Sequence, residues 1–182
     1  MKRINMKIIK KIKRYISGNC EESIEDLRKR GVKIGENVHI FSTNIDRGHG
    51  FLVEIGNNVT ITNASILTHD ASTKKFLGYS KVGKVKIGDN VFVGYGSLIL
   101  PGVNIGNNVI IGGGCVVRNN IPEDSLVIGN PARVVCSVSE YIEKNREKMK
   151  KVPVYETHWR DKTEEEKNQM IRELEDSIGF DI

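Results

Sequence analysis

A spacing of six residues runs through the middle of this 182-residue chain and limits what it can fold into. Steps of six from Ile87 land on Val93, Ile99, Ile105, Ile111 and Val117, an unbroken series of β-branched aliphatics. Two residues before each stand Val85, Val91, Ser97, Val103, Val109 and Cys115, all small or β-branched. Glycine follows the aliphatic at positions 88, 94, 106 and 112. The same register occurs earlier as Ile34 and Ile40, then as Ile55, Ile61 and Leu67, with breaks after Ile40 and after Leu67. Each break marks a loop extruded from a regular stack.

A period of six fits neither the 3.6-residue turn of a helix nor a long alternating strand. It fits a short strand followed by a corner, repeated three times per coil, with successive coils rising by about 4.8 Å. Sequences such as Gly56-Asn57-Asn58, Gly88-Asp89-Asn90 and Gly106-Asn107-Asn108 supply corner residues that tolerate positive φ. Of 18 glycines, 16 fall between residues 31 and 138, so the repeat region is read as a mainly β domain, a parallel β-helix. A core stacked from Ile and Val also accounts for an aromatic content of only 6%.

The formal charge of +5 is unevenly placed. Residues 1–20 contain Lys2, Arg3, Lys7, Lys10, Lys11, Lys13 and Arg14 and no acid, which leaves the rest of the chain slightly acidic. With few aromatics and no basic stacking platform beyond that segment, a nucleic-acid partner is not expected. Ile4, Ile8, Ile9, Ile12, Tyr15 and Ile16 recur at helical spacing opposite the lysines. Residues 1–30 are therefore read as a basic helical segment, suited either to capping the first coil or to peripheral contact with an anionic membrane. Cys20, Cys115 and Cys136 are odd in number and form no C-x-x-C pair. They read as free thiols of a reducing cytoplasm, at the inner face of the membrane if the basic segment binds lipid.

Residues 85–135, from Val85-Lys86-Ile87-Gly88-Asp89-Asn90-Val91 to Ile128-Gly129-Asn130-Pro131-Ala132-Arg133, resemble the hexapeptide-repeat acyl-CoA acetyltransferases. The likeness is strongest to maltose and galactoside O-acetyltransferases and to the O-acetyltransferases of surface-polysaccharide biosynthesis. It implies a left-handed helix, a homotrimer with active sites between subunits, and acetyl-CoA as co-substrate without a required metal. The implied function is O-acetylation of a sugar or glycan precursor. His69, in Ile66-Leu67-Thr68-His69-Asp70 where the second break begins, is the implied general base; a hydroxyl is a poor nucleophile until its proton is taken. Asp70 is left unassigned, because neighbours on a strand point to opposite sides.

The same resemblance assigns the cofactor to Tyr95, Gly113, Arg118, Pro131 and Arg133. Gly113 also reads as a plain corner glycine and Arg118 as a solvated charge, standing one position before the lysine usual in the family. The first loop, Phe41 to Leu52, is implied to hold the acceptor through Asn44 and Asp46, with Tyr79 of the second loop as a further wall. Asn and Asp equally favour turns for their own sake. Alternatives are transfer to the amine of an amino sugar, and a non-enzymatic scaffold. A zinc enzyme of this fold would need three converging histidines; His39, His49 and His69 lack a close pair, and no metal ligand is assigned.

Beyond the β-helix at 31–138, residues 139–182 read as a helical extension: a basic helix from Ser139 to Lys151 and a second opened by the capping box Thr163-Glu164-Glu165-Glu166. Met170, Ile171, Leu174 and Ile178 form the second helix's apolar stripe, with Tyr155 and Trp159 anchoring the link between the two.

Overall fold

The computed structural model describes residues 22–182. The apolar series of residues 1–20 and Cys20 lie outside the described residues. The chain divides into two compact units, one ending at Val138 and one spanning Ser139–Ile182. Among the described residues, no helix is long and apolar enough to cross a membrane.

The first unit is strand-rich. Its short strands form three ladders, parallel but for one terminal strand: Lys33–Ile34, Val53–Ile55, Val85–Ile87 and Asn104–Ile105 on one face, Asn44–Ile45, Ser65–Ile66, Leu98–Ile99 and Val116–Val117 on another, and a third from His39–Phe41 through Thr60–Thr62, Val91–Val93 and Val109–Ile111 to Ser125–Ile128. The chain visits the three faces in turn, which makes the unit a parallel β-helix. Arg133–Cys136 closes the third ladder as its antiparallel edge.

Register explains the core. Ile34, Ile55, Ile87 and Ile105 stack on one face, Ile40, Ile61, Val93, Ile111 and Val127 on the second, and Ile45, Ile66, Ile99 and Val117 on the third. Ile61, Ile66, Ile99 and Ile111 are fully buried, while Ile34 and Ile40 in the first coil are partly covered. The regular period placed Leu67 in this stack. The core residue is instead Ile66, because the coil takes one residue fewer between Ile61 and the third face; Ala64, not Ser65, stacks with Ser97 and Cys115. Ile45, which the period missed, occupies the third face of the first coil for the same reason.

Corner chemistry is divided between two residue types. The left-handed φ is adopted by Asn37, Asn58, Asn90, Asn108 and Asp124, whose side chains hydrogen-bond up the stack, as in Asn37 Nδ2 to Asn58 Oδ1 at 2.9 Å. Gly88 serves a different purpose. A Cβ there would lie 2.8 Å from the backbone carbonyl of Gly106 in the next coil, so glycine permits the coils to approach. At the start of the stack, helix α1 (Ile24–Lys29) is N-capped by Ser23 and contributes Leu27 to the core.

The first excursion leaves the stack after Ile45 and returns through a 3-10 turn at Gly50–Leu52. The second leaves after Thr68 as a hairpin that pairs His69 with Val82 and Asp70 with Lys81, enclosing the short helix α2 (Lys74–Leu77).

The second unit holds α4 (Glu164–Glu173) and a two-stranded parallel ladder of Val154–Tyr155 with Phe180–Asp181; α3 (Val138–Met149) begins at the unit boundary. The Thr163–Glu166 capping box is formed. Lys162 is buried against Asp181 at 2.7 Å, and Tyr155 Oη donates to Glu173. Ile171 and Ile178 are largely exposed rather than part of a buried stripe, and Trp159 is exposed with the Arg160 guanidinium over its ring instead of anchoring the link.

Candidate functional site

Both excursions leave the stack on the same side, and the register of Ile45 with Ile66 sets their first residues side by side. Asp46 follows Ile45, and its amide donates to the Ile66 carbonyl. The aspartate is 5% exposed, with Oδ1 accepting from the amides of Gly48 at 3.0 Å and His49 at 3.3 Å. Oδ2 accepts from the Thr68 amide at 3.2 Å, from Thr68 Oγ1 at 2.8 Å, and from His69 Nδ1 in a short contact. Arg30 Nη1 donates to the Asp46 carbonyl at 2.9 Å and fixes the loop from behind.

Burial alone would raise the Asp46 carboxyl; the hydrogen bonds from His69, Thr68 and Gly48 outweigh it and hold the group well below the usual carboxylate range. An ionised carboxylate only accepts, so Nδ1 of His69 carries the proton and Nε2 is left with its lone pair. The His69 side chain is 41% exposed where that of Asp46 is 1% exposed. This arrangement, a buried carboxylate behind a solvent-facing imidazole of fixed tautomer, can accept a proton at Nε2 and stabilise the imidazolium that results.

Asp46 therefore does not stand open to an acceptor hydroxyl, as its place in a loop implied; its oxygens are occupied by its own loop, by Thr68 and by His69. Asn44 is exposed on the outer side of its strand, in register with Ser65. Tyr79 is 80% exposed on the second excursion, and its carbonyl accepts from Thr73 Oγ1. Asp70 turns away from His69, caps the turn at Ser72 and pairs with Lys81 at 2.6 Å.

Tyr95 and Gly113 share a corner on successive coils: the Gly114 amide donates to the Tyr95 carbonyl, and a Cβ on Gly113 would lie 3.2 Å from that oxygen. Arg118, Pro131 and Arg133 are exposed, Pro131 following a cis peptide bond and Arg133 facing Ile128 in the antiparallel edge. Sequence reasoning missed Thr68 and the place of His49. The His49 ring lies 5.3 Å from that of His69, and its Nδ1, 3.9 Å from Asp46 Oδ1, is buried without a hydrogen-bond partner. His39 is stacked on Phe41 elsewhere in the stack.

Residues 84–119 match the bacterial transferase hexapeptide (six repeats) family. The chain is 37% identical over 150 residues to Protein CapG of Staphylococcus aureus, covering 78% of this chain and 81% of that protein. It is 40% identical over 137 residues to YJL218W of Saccharomyces cerevisiae, to which an acetyltransferase activity is ascribed, covering 70% and 69% of the two chains. Among solved structures it is similar to the hexapeptide-repeat acetyltransferase VCA0836 of Vibrio cholerae, with 25% identity and a TM-score of 0.52 over 59% of this chain and 63% of the other. That protein has also been solved with acetyl coenzyme A, at a TM-score of 0.51 and 25% identity over 60% of this chain and 61% of the other. The chain thus spans under two thirds of the Vibrio protein.

Proposed function

The chain belongs to the hexapeptide-repeat acyltransferases, and from that premise we propose that it moves an acetyl group from acetyl-CoA to a hydroxyl of a sugar or glycan precursor, with His69 as general base. The observation that carries this reading is the contact of His69 Nδ1 with the buried Asp46 carboxylate. Nε2 takes the hydroxyl proton as the oxygen attacks the thioester carbonyl. A tetrahedral intermediate forms, its oxyanion held by a backbone amide. Collapse breaks the C–S bond, and the imidazolium returns the proton to the leaving thiolate. In between, the Asp46 carboxylate stabilises the positive charge on the His69 imidazolium without taking the proton.

A neutral amine attacks with less help from a base, so a fixed imidazole–carboxylate pair favours oxygen over nitrogen as the acceptor atom. In this reading the coils wind left-handed and three chains associate with the sites between them. Acetyl-CoA lies beside Tyr95 and Gly113, with Arg118, Pro131 and Arg133 toward its nucleotide end. Asn44 and Tyr79 face the acceptor. Cys115 and Cys136, both free thiols, suit a reducing cytoplasm.

The test is release of CoA thiol over a panel of sugars and sugar nucleotides. Wild-type protein turns over with one hydroxyl class, and His69→Ala does not. Turnover of amino sugars alone, or wild-type rates in the variant, would reject the reading.

A further inference from the structure

Near His69 lie more metal-binding atoms than the transfer step uses. Asp46, His49 and His69 each place one donor atom within 4.8 Å of the others. Asp46 Oδ1 and His49 Nδ1 stand 3.9 Å apart, and that nitrogen is buried with no partner. A buried ring nitrogen left unpaired beside a carboxylate is costly unless something binds it. Both histidine side chains lie partly at the surface, at 38% and 41% exposure, although the His49 Nδ1 itself is buried.

We propose that Asp46, His49 and His69 form a binding site for one divalent transition-metal ion, of the zinc or cobalt class, and that occupancy shuts off the base. Two imidazoles and a carboxylate suit these ions and not magnesium or calcium, which prefer all-oxygen shells. Ligands at zinc distances of about 2.0–2.2 Å stand roughly 3.3 Å from one another in a tetrahedron. Small ring rotations bring the present atoms to that spacing, with solvent water as the fourth ligand. The amides of Gly48 and Thr68, already on the Asp46 oxygens, become the outer hydrogen bonds that orient the carboxylate.

The consequence for His69 follows from its proton. The neutral ring has one N–H, at Nδ1. A metal ion takes the Nδ1 lone pair, and the proton relocates to Nε2 through solvent, so no charge is gained or lost on the ring. Nε2 then donates where it must accept, and the imidazole cannot deprotonate a hydroxyl. Metal binding itself is independent of the transfer reaction; only the inhibition rests on the function proposed above.

Chelator-treated wild-type protein is titrated calorimetrically with zinc chloride, with magnesium chloride as control, and its visible spectrum is recorded with cobalt chloride. One zinc per chain is expected, no heat from magnesium, and the absorption of a tetrahedral cobalt site. His49→Ala keeps the backbone amide that holds Asp46 but loses a ligand, and its zinc affinity falls at least ~10–100-fold, the loss common when even an outer partner is removed. Transfer rates are read with and without zinc, each variant against its own metal-free rate, and added chelator restores activity. Absence of zinc binding at 100-fold molar excess, or equal zinc affinity in His49→Ala, overturns the site. Zinc binding without inhibition overturns the tautomer argument. Zinc binding by a protein that transfers to no acceptor leaves the site standing and removes the transfer reading.

Discussion

His69 Nδ1 meets the Asp46 carboxylate across 23 residues of sequence, and the acid is buried while the imidazole faces solvent. The shared register of Ile45 and Ile66 brings the two excursions side by side, and the turn through Thr68 into the hairpin then sets His69 against Asp46. The carboxylate has Gly48, His49 and Thr68 to fix it, which makes it a positioning residue and leaves the imidazole as the group that meets substrate.

Asp46→Asn tests that division. The amide cannot accept at both ends: one side of it becomes an NH2 facing either the His69 N–H and Thr68 hydroxyl or the Gly48 and His49 amides. The imidazole loses its fixed tautomer and the stabilisation of its charged form. We expect kcat to fall on the order of 10²–10⁴-fold with the KM for acetyl-CoA little changed. Circular dichroism confirms the fold; a variant within twofold of wild type would remove Asp46 from the mechanism.

Close approach of the coils makes a second prediction. A Cβ on Gly94 would lie 2.6 Å from the Gly113 nitrogen and 2.8 Å from the Ile111 carbonyl, and neither backbone atom can move without opening the coil. Gly94→Ala should cost about 1–3 kcal/mol, the usual range for overpacking. Gly48→Ala meets only Asp46 Oδ1 at 3.7 Å, ordinary contact, and should be nearly neutral. Urea unfolding of both variants decides it; equal midpoints would contradict the packing argument.

These two cases show what the amino-acid sequence could reveal. Stepping by six identified Ile55, Ile61, Ile87, Val93, Ile99, Ile105, Ile111 and Val117 as core because a solenoid repeats one environment, and a repeated environment selects a repeated side chain. It failed at Ile45 and Ile66, where the coil shortens by a residue, since a slip of one exchanges inside for outside. That slip also hid the site. With Leu67 counted as core, Asp46 has no counterpart; with Ile66 in place, Asp46 aligns with Leu67 and touches Thr68 and His69. Asp46 then reads as a loop residue, either a turn former in its own right or, as the resemblance implies, a ligand of the acceptor. The capping box at Thr163 was legible because it needs only local contacts, whereas the exposure of Ile171 and Trp159 depends on what surrounds them.

Glu54 gives a pH prediction with a definite sign. Hydrogen bonds from Lys84 and Lys33 outweigh partial desolvation and lower its carboxyl from 4.5 to about 2. A carboxyl depressed in the folded state binds protons more readily unfolded, so its stabilisation is complete above pH 4.5 and is lost as pH falls through about 2. Glu54→Gln should thus be less stable than wild type at neutral pH, with the gap closing on acidification across that interval. Lys33, Lys84 and Lys86 surround the site, so added salt should narrow the neutral-pH gap as well. Thermal melts from pH 7 to pH 2 measure it; a gap that widens in acid would mean that the carboxylate is not held by its lysines.

The position of a residue along the stack should set the cost of removing it. Ile111 is fully buried, sandwiched between Val93 and Val127 of the adjoining coils. Truncation to alanine leaves a void that neither neighbour can fill, because both sit in ladders pinned by backbone hydrogen bonds; about 2–5 kcal/mol is expected. Ile34 belongs to the first coil, is only partly buried and, among the described residues, has a ladder partner on one side alone, Ile55. Its truncation loses less buried surface and opens onto solvent, so Ile34→Ala should cost less than half as much. In a linear stack each coil is stabilised by its neighbours, so the Ile111→Ala defect divides the core while the Ile34→Ala defect frays one end. Hydrogen exchange separates the two cases: faster exchange at the amides of Val93 and Val127 in the first variant, and faster exchange confined to the coil of Val32 to Ile45 in the second. Equal costs in urea unfolding, or uniform exchange in both variants, would show that the β-helix unfolds as one unit and not coil by coil.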